Sequence, residues 1–243
     1  LHYLPFQALR GEGVAGGFLV ERYQIKYVPS ASVWRQLNSR ATPPALGQVL
    51  IMAPDIDRLP GTNREAIELG QRFGDQATVL LGSDATETAL RNSEGPHEVV
   101  HLASEGALNR ANPLFSYLTL ASAGSDDGRL EVHEVAGMDL RAELVTLSAC
   151  ETALGSGARS DVPAGDDWVG FVRAFLFAGA SNVLATLWRV DDLATVEFMS
   201  RFYEFLADGV LPADALALTQ RSFLAEPSTR HPFYWAGFVL SGN

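Results

Sequence analysis

Five short apolar runs constrain this chain more than anything else in it. They are Val49-Leu50-Ile51-Met52-Ala53, Ala77-Thr78-Val79-Leu80-Leu81, Glu98-Val99-Val100-His101-Leu102, Glu143-Leu144-Val145-Thr146-Leu147 and Asn182-Val183-Leu184-Ala185-Thr186-Leu187. Each is too short for a core helix, and each is continuous rather than alternating, the pattern of a strand covered on both faces. Helical spacing fills most of the intervals. One amphipathic helix is expected from Asn63 to Phe73, another capped by Asp84 and running to about Asn92, and a third from Asp166 or Asp167 to Phe177. Asp192 opens a long helix to Ala207, and Pro212 sits in the first turn of a helix ending near Ala225. Trp235 to Ser241 then closes the sheet. Repeated βα units with short links predict one α/β domain whose mostly parallel sheet carries helices on both faces.

Two stretches depart from that repeat. Tyr117-Leu118-Thr119-Leu120 and Leu130-Glu131 read as a small hairpin around the Asp126-Asp127-Gly128 turn, followed by a short helix from Val132 to Ala136. Residues 1–48 read as an N-terminal cap on a core spanning residues 49–243. Within the cap, Tyr23 to Val28 alternates like a strand, Ser30 N-caps a helix to about Asn38, and Thr42-Pro43-Pro44 is a break. The opening Leu1-His2-Tyr3-Leu4-Pro5-Phe6, without a Met, raises the expectation of a domain cut from a longer protein.

Composition narrows the function. With 47% hydrophobic residues among 243, a sizeable core is available, and a net charge of −11 argues against a phosphate-backbone binder. No nucleic-acid partner is therefore expected. The single cysteine, Cys150, excludes an intrachain disulfide framework and fits a reducing, cytoplasmic location. No apolar run reaches the ~18 residues of a membrane span. Gly11-Glu12-Gly13-Val14-Ala15-Gly16 matches a dinucleotide fingerprint literally, but it lacks the strand before it, the helix after it and the distant acid. It reads as a flexible hairpin, and no cofactor is expected. No His/Cys/Asp cluster has metal-ligand spacing. Phe198, Met199, Phe202, Tyr203 and Phe205 make an aromatic face at helical spacing, either core or a seat for a partner domain.

Cys150 ends one of the buried runs, in Leu147-Ser148-Ala149-Cys150-Glu151-Thr152, which places a thiol where α/β sheets present reactive groups. Val100-His101-Leu102-Ala103-Ser104-Glu105-Gly106 ends another. With Leu81-Gly82-Ser83-Asp84-Ala85-Thr86, Phe175-Leu176-Phe177-Ala178-Gly179-Ala180, Leu187-Trp188-Arg189-Val190-Asp191-Asp192 and His231-Pro232-Phe233-Tyr234-Trp235-Ala236-Gly237-Phe238, these segments give the chain a resemblance to CHAT domains over nearly its whole length. CHAT domains are caspase-like modules similar to separase and usually attached to tetratricopeptide repeats. The resemblance implies a caspase-hemoglobinase-like three-layer sandwich and a Cys/His dyad that cuts peptide bonds. It places the nucleophile at Cys150, whereas the family histidine, which precedes a glycine, falls on Glu105. It further implies an oxyanion hole from the backbone N–H groups of Gly106 and Cys150, and a pocket for basic side chains at Asp192. Gly106 reads equally well as a turn glycine, and Asp192 as a helix N-cap.

Glutamate is a poor base for a thiol. Moving a proton from a thiol to an ordinary carboxylate is uphill by about 6 kcal/mol, and two like charges ~4 Å apart repel by about 4 kcal/mol at an effective dielectric of ~20. Other histidines offer little help. His101 is ~13 Å back along its strand from Glu105, His133 belongs to the hairpin–helix segment, and His97, His2 and His231 read as surface or packing residues. The expectation is a pseudoprotease or regulatory module that binds a protein or peptide partner beside a tetratricopeptide-repeat domain. The alternative is an active cysteine endopeptidase cleaving after basic residues, with a base from elsewhere. The glycine-rich stretch Ala153 to Gly165 reads as a flexible loop.

Overall fold

The computed structural model describes residues 4–11, 17–38, 47–92, 97–109, 111–148, 150–151, 165–188 and 190–243. The strands are β1 (Val49–Ala53), β2 (Ala77–Leu81), β3 (Val99–Leu102), β4 (Glu105–Ala107), β5 (Tyr117–Thr119), β6 (Arg129–Glu131), β7 (Leu144–Leu147), β8 (Cys150–Glu151), β9 (Asn182–Thr186) and β10 (Phe238–Gly242). The helices are α1 (Ala31–Asn38), α2 (Pro60–Phe73), α3 (Glu87–Arg91), α4 (Val132–Val135), α5 (Gly165–Phe177), α6 (Asp192–Ala207) and α7 (Pro212–Ala225).

Six strands form the main sheet in the order β10-β9-β7-β3-β1-β2. All its pairings are parallel except β9 with β10, which is antiparallel at the edge. β1, β3, β7 and β9 are buried along their whole length, as continuous apolar runs require. Alternate residues feed two cores. Val49, Ile51 and Ala53 face the cluster that holds Phe198, Phe202 and Tyr203 of α6 and Phe223 of α7. Leu50 and Met52 face the cluster that holds Phe171 and Phe175 of α5 and Leu90 of α3. The result is the helix–sheet–helix sandwich that the sequence predicts. Its aromatic face on α6 is core, with Phe198 stacked on Phe238 at a centroid distance of 3.7 Å.

Beyond the carboxyl ends of β3 and β7 the chain continues into a second sheet of four short strands, ordered β6-β5-β4-β8. This sheet joins the expected hairpin (β5 with β6) to the two segments bearing Glu105 and Cys150. The N-terminal segment lies across the opposite edge of the main sheet. The Gln7 amide donates to the carbonyls of Ala236 (2.5 Å) and Phe238 (3.3 Å), the Arg221 guanidinium donates to the carbonyl of Val20, and Tyr27 pairs with Ser241.

Several local expectations are corrected. Tyr23 to Val28 is not a strand; only Tyr27 bridges the edge of β10, because an alternating segment needs a partner along its whole length. Asp84 ends a 3₁₀ turn, and Thr86 caps α3 by accepting from the Ala89 N–H at 3.0 Å. Asp192 is not the cap of α6. Asp191 takes that role, accepting from the Ala194 N–H at 3.1 Å, and Asp192 is the first helical residue. Gly106 lies inside β4 rather than in a turn. Ser30 does cap α1, through the Val33 N–H. Residues 12–16 of the Gly11–Gly16 stretch, the Thr42-Pro43-Pro44 break and residues 152–164 lie outside the described residues.

Candidate active site

The two residues that the sequence singles out are register partners. β4 and β8 run parallel with Glu105 opposite Cys150 and Gly106 opposite Glu151. Neighbouring strands lie about 4.8 Å apart, so the backbones at Glu105 and Cys150 are as close as two strand residues can be. The arrangement follows from the main sheet. β3 and β7 are adjacent, with Leu102 opposite Leu147, and each chain leaves the sheet on the same side. The Ser148 N–H donates to the Leu102 carbonyl, which carries the pairing past the last main-sheet residues toward the second sheet.

The Glu105 carboxylate is largely covered, at 15% side-chain exposure, and does not stand alone. Arg58 places Nη2 3.1 Å from Glu105 Oε2 and Nη1 3.2 Å from Asp55 Oδ2. Arg58 sits in the connection between β1 and α2, and β1 borders β3, so the strand order delivers this guanidinium to the end of β3. Sequence reasoning missed Arg58. Its partner is 47 positions away, and only the order β3-β1 brings the two together. The guanidinium is 69% exposed, and an ion pair at such a surface is worth about 0–1 kcal/mol.

Asp192 begins α6 beside the start of α2. A Cβ placed on Gly61 would lie 3.1 Å from the Asp192 Cβ, so the two helix ends touch and Gly61 permits the approach. Asp192 thus neighbours the helix that the Arg58 connection leads into. A second close approach joins two motif segments. A Cβ on Gly237 would come within 2.9 Å of the Trp188 ring, and the Trp188 indole N–H donates to the Phe233 carbonyl at 3.0 Å.

Beneath this surface lies a buried polar network. Ser148 Oγ donates to Glu65 Oε2 at 3.0 Å, and Glu65 Oε1 lies 3.1 Å from His101 Nε2. That last contact has ion-pair distance but not the alignment of a good hydrogen bond, leaving both atoms without one. His101 Nδ1 is 2.9 Å from the Tyr203 hydroxyl, which lies 2.8 Å from Thr146 Oγ1. Burial pushes the Tyr203 hydroxyl well above its ordinary range, against the pull of Thr146, so it stays a neutral phenol. His101 is therefore tied into the core through Glu65 and Tyr203, not directed at the cysteine strand. His133 is on α4 at the surface, 3.1 Å from Glu131, and His231 caps the 3₁₀ turn at Pro232. His97 is buried. Among the described residues, no group of three His, Cys, Asp or Glu side chains could hold a metal ion, and no helix is long and apolar enough to cross a membrane.

Comparison with known proteins places this fold in a family. The family model of the CHAT domain matches residues 1–243. Tetratricopeptide repeat protein 28 of Mus musculus is 28% identical over 294 aligned residues, and its Homo sapiens counterpart 26%. Each alignment covers 100% of this chain and 12% of the relative, so the chain spans about an eighth of those proteins' length. Among solved structures, Saccharomyces cerevisiae separase in its complex with securin superposes with a TM-score of 0.64 at 17% identity, covering 99% of this chain and 15% of that one. The chain belongs to the CHAT domain family and has its caspase-like fold.

Proposed function

We propose that this domain is a pseudoprotease: a caspase-like module that keeps the cysteine of the peptidase site, carries glutamate in place of the base, and works by binding a protein or peptide partner. The observation that supports the reading best is the register of β4 and β8, which sets Glu105 directly beside Cys150. A carboxylate there neither accepts the thiol proton readily nor stabilises the thiolate. The Arg58 bridge softens the repulsion but supplies no base, because a guanidinium stays protonated.

The backbone N–H groups of Gly106 and Cys150 remain the candidate oxyanion donors. Asp192 is the candidate acid for a basic side chain of the partner. On this reading the domain is cytoplasmic, and it works beside a tetratricopeptide-repeat domain of the kind that its relatives are named for. Active peptidase chemistry would need another base. His101 is committed to Glu65 and Tyr203 in the core, and His133 to Glu131 on α4.

Labelling of Cys150 by an arginyl chloromethyl ketone tests the proposal, comparing this chain with Glu105→His and Cys150→Ala. Labelling of Glu105→His alone is the expected result. Labelling of the unaltered chain, lost in Cys150→Ala, would overturn it in favour of a working endopeptidase that cuts after basic residues.

A further inference from the structure

The opposite end of the sheet holds a second candidate site. His97 lies just before β3, at the amino end of the strands, and lines a cleft of about 440 Å³ together with Arg91, Glu134, Met138, Asp139 and Leu140. That volume is in the range of small-molecule sites. His97 is only 6% exposed, and neither of its ring nitrogens has a hydrogen-bond partner among the described residues. A buried polar group left unmatched costs about 1–3 kcal/mol, so the fold retains an imidazole here at a loss that a bound ligand would recover.

Charge indicates what that ligand is. Arg91 is shared among Glu87 at 2.9 Å, Glu134 at 2.8 Å and Asp126 at 3.7 Å, so three carboxylates already neutralise one guanidinium. Asp139 adds a further carboxylate to the lining, held by Arg141. An excess of negative charge disfavours phosphate or carboxylate ligands. Burial also holds His97 below its ordinary range, against the opposing influence of Glu98. It is then a neutral imidazole, whose unprotonated ring nitrogen can accept a hydrogen bond. Met138 and Leu140 supply the apolar wall that a short methylene chain would cover.

We propose that this cleft binds a small primary alkylamine, its ammonium donating to the free nitrogen of His97 and to the carboxylates of Glu134 and Asp139, its methylenes lying against Met138 and Leu140. The same alkylammonium could come from a free diamine or from the lysine side chain of another protein.

The test is NMR of the histidine imidazoles during titration with 1,4-diaminobutane, and separately with Nα-acetyl-lysine methylamide. A saturable shift of the His97 resonances with either probe is expected. Response to the diamine alone assigns the ligand to a free amine, and response to the lysine derivative assigns it to a protein side chain. Binding of the same probe measured by calorimetry should be lost in His97→Phe, and the affinity should weaken about tenfold in Asp139→Asn, at an exposed side chain, for the loss of one charge-assisted contact. No saturable shift with either probe, or an equal shift with 1-butanol, would overturn the proposal.

Discussion

Two glutamates, one at each level of the same structure, face basic partners with opposite consequences. Glu65 and His101 meet in the core, where both are essentially inaccessible, and their neighbours Ser148, Tyr203 and Thr146 extend the buried polar network. Glu105 meets Arg58 at the carboxyl end of the sheet, where the guanidinium is mostly in solvent. Each is an acid beside a base. Burial turns the first into a structural tie among α2, β3, β7 and α6, because breaking it strands polar groups away from water. Exposure leaves the second free to exchange partners at little cost. On the proposed reading, the side chains that govern the cysteine are ones the fold can spare.

The largest effect should come from breaking the inner pair. Glu65→Ala leaves His101 and Ser148 without their buried partner and should cost about 3–5 kcal/mol in urea unfolding. Tyr203→Phe removes one hydroxyl from the same network and should cost about 1–3 kcal/mol. Next comes the acid limb of the stability curve. His97 titrates lower in the folded chain than its ordinary value, so the unfolded chain binds the extra proton first. Its contribution is complete above the unfolded value, near pH 6.5, and is lost as the pH falls below it. Arg91, His133, Glu134 and Asp139 line the same cleft, and Glu98 adjoins His97 and opposes the shift. His97→Phe should flatten the decline between neutral pH and about pH 5, as measured by chemical unfolding at each pH. The smallest effect belongs to the outer pair. Arg58→Ala should change stability by less than about 1 kcal/mol, and a loss comparable to that of Glu65→Ala would erase the distinction between the two pairs.

The sequence made the main strands legible because their apolar runs are continuous, the pattern of a covered sheet; Ala77–Leu81 departs from it, since β2 is the sheet edge and is only half-buried with Thr78 exposed. It also put Glu105 and Cys150 just past the ends of two of those runs, though not in the second sheet where they lie. What escaped it depended on partners distant in the chain. Strand β8 is two residues long and has no pattern of its own; it exists because β4 lies beside it. Arg58 is an ordinary surface arginine until the order β3-β1 brings Glu105 to it. The sequence favours Asp192 as the cap, and only the non-helical backbone of Asp191 decides that its carboxylate reaches the helix N–H groups. His97 looks like a packing residue until both of its nitrogens prove bare.

The central claim is that Glu105 holds Cys150 in an unreactive state. The most direct test is the rate at which iodoacetamide alkylates Cys150 at neutral pH in this chain, in Glu105→Gln and in Glu105→His. Removing the neighbouring negative charge should speed alkylation, and supplying an imidazole should speed it further, by about tenfold or more over the unaltered chain. Alkylation of the unaltered chain as fast as that of Glu105→His would contradict the account, since the thiol would then be activated by some other group.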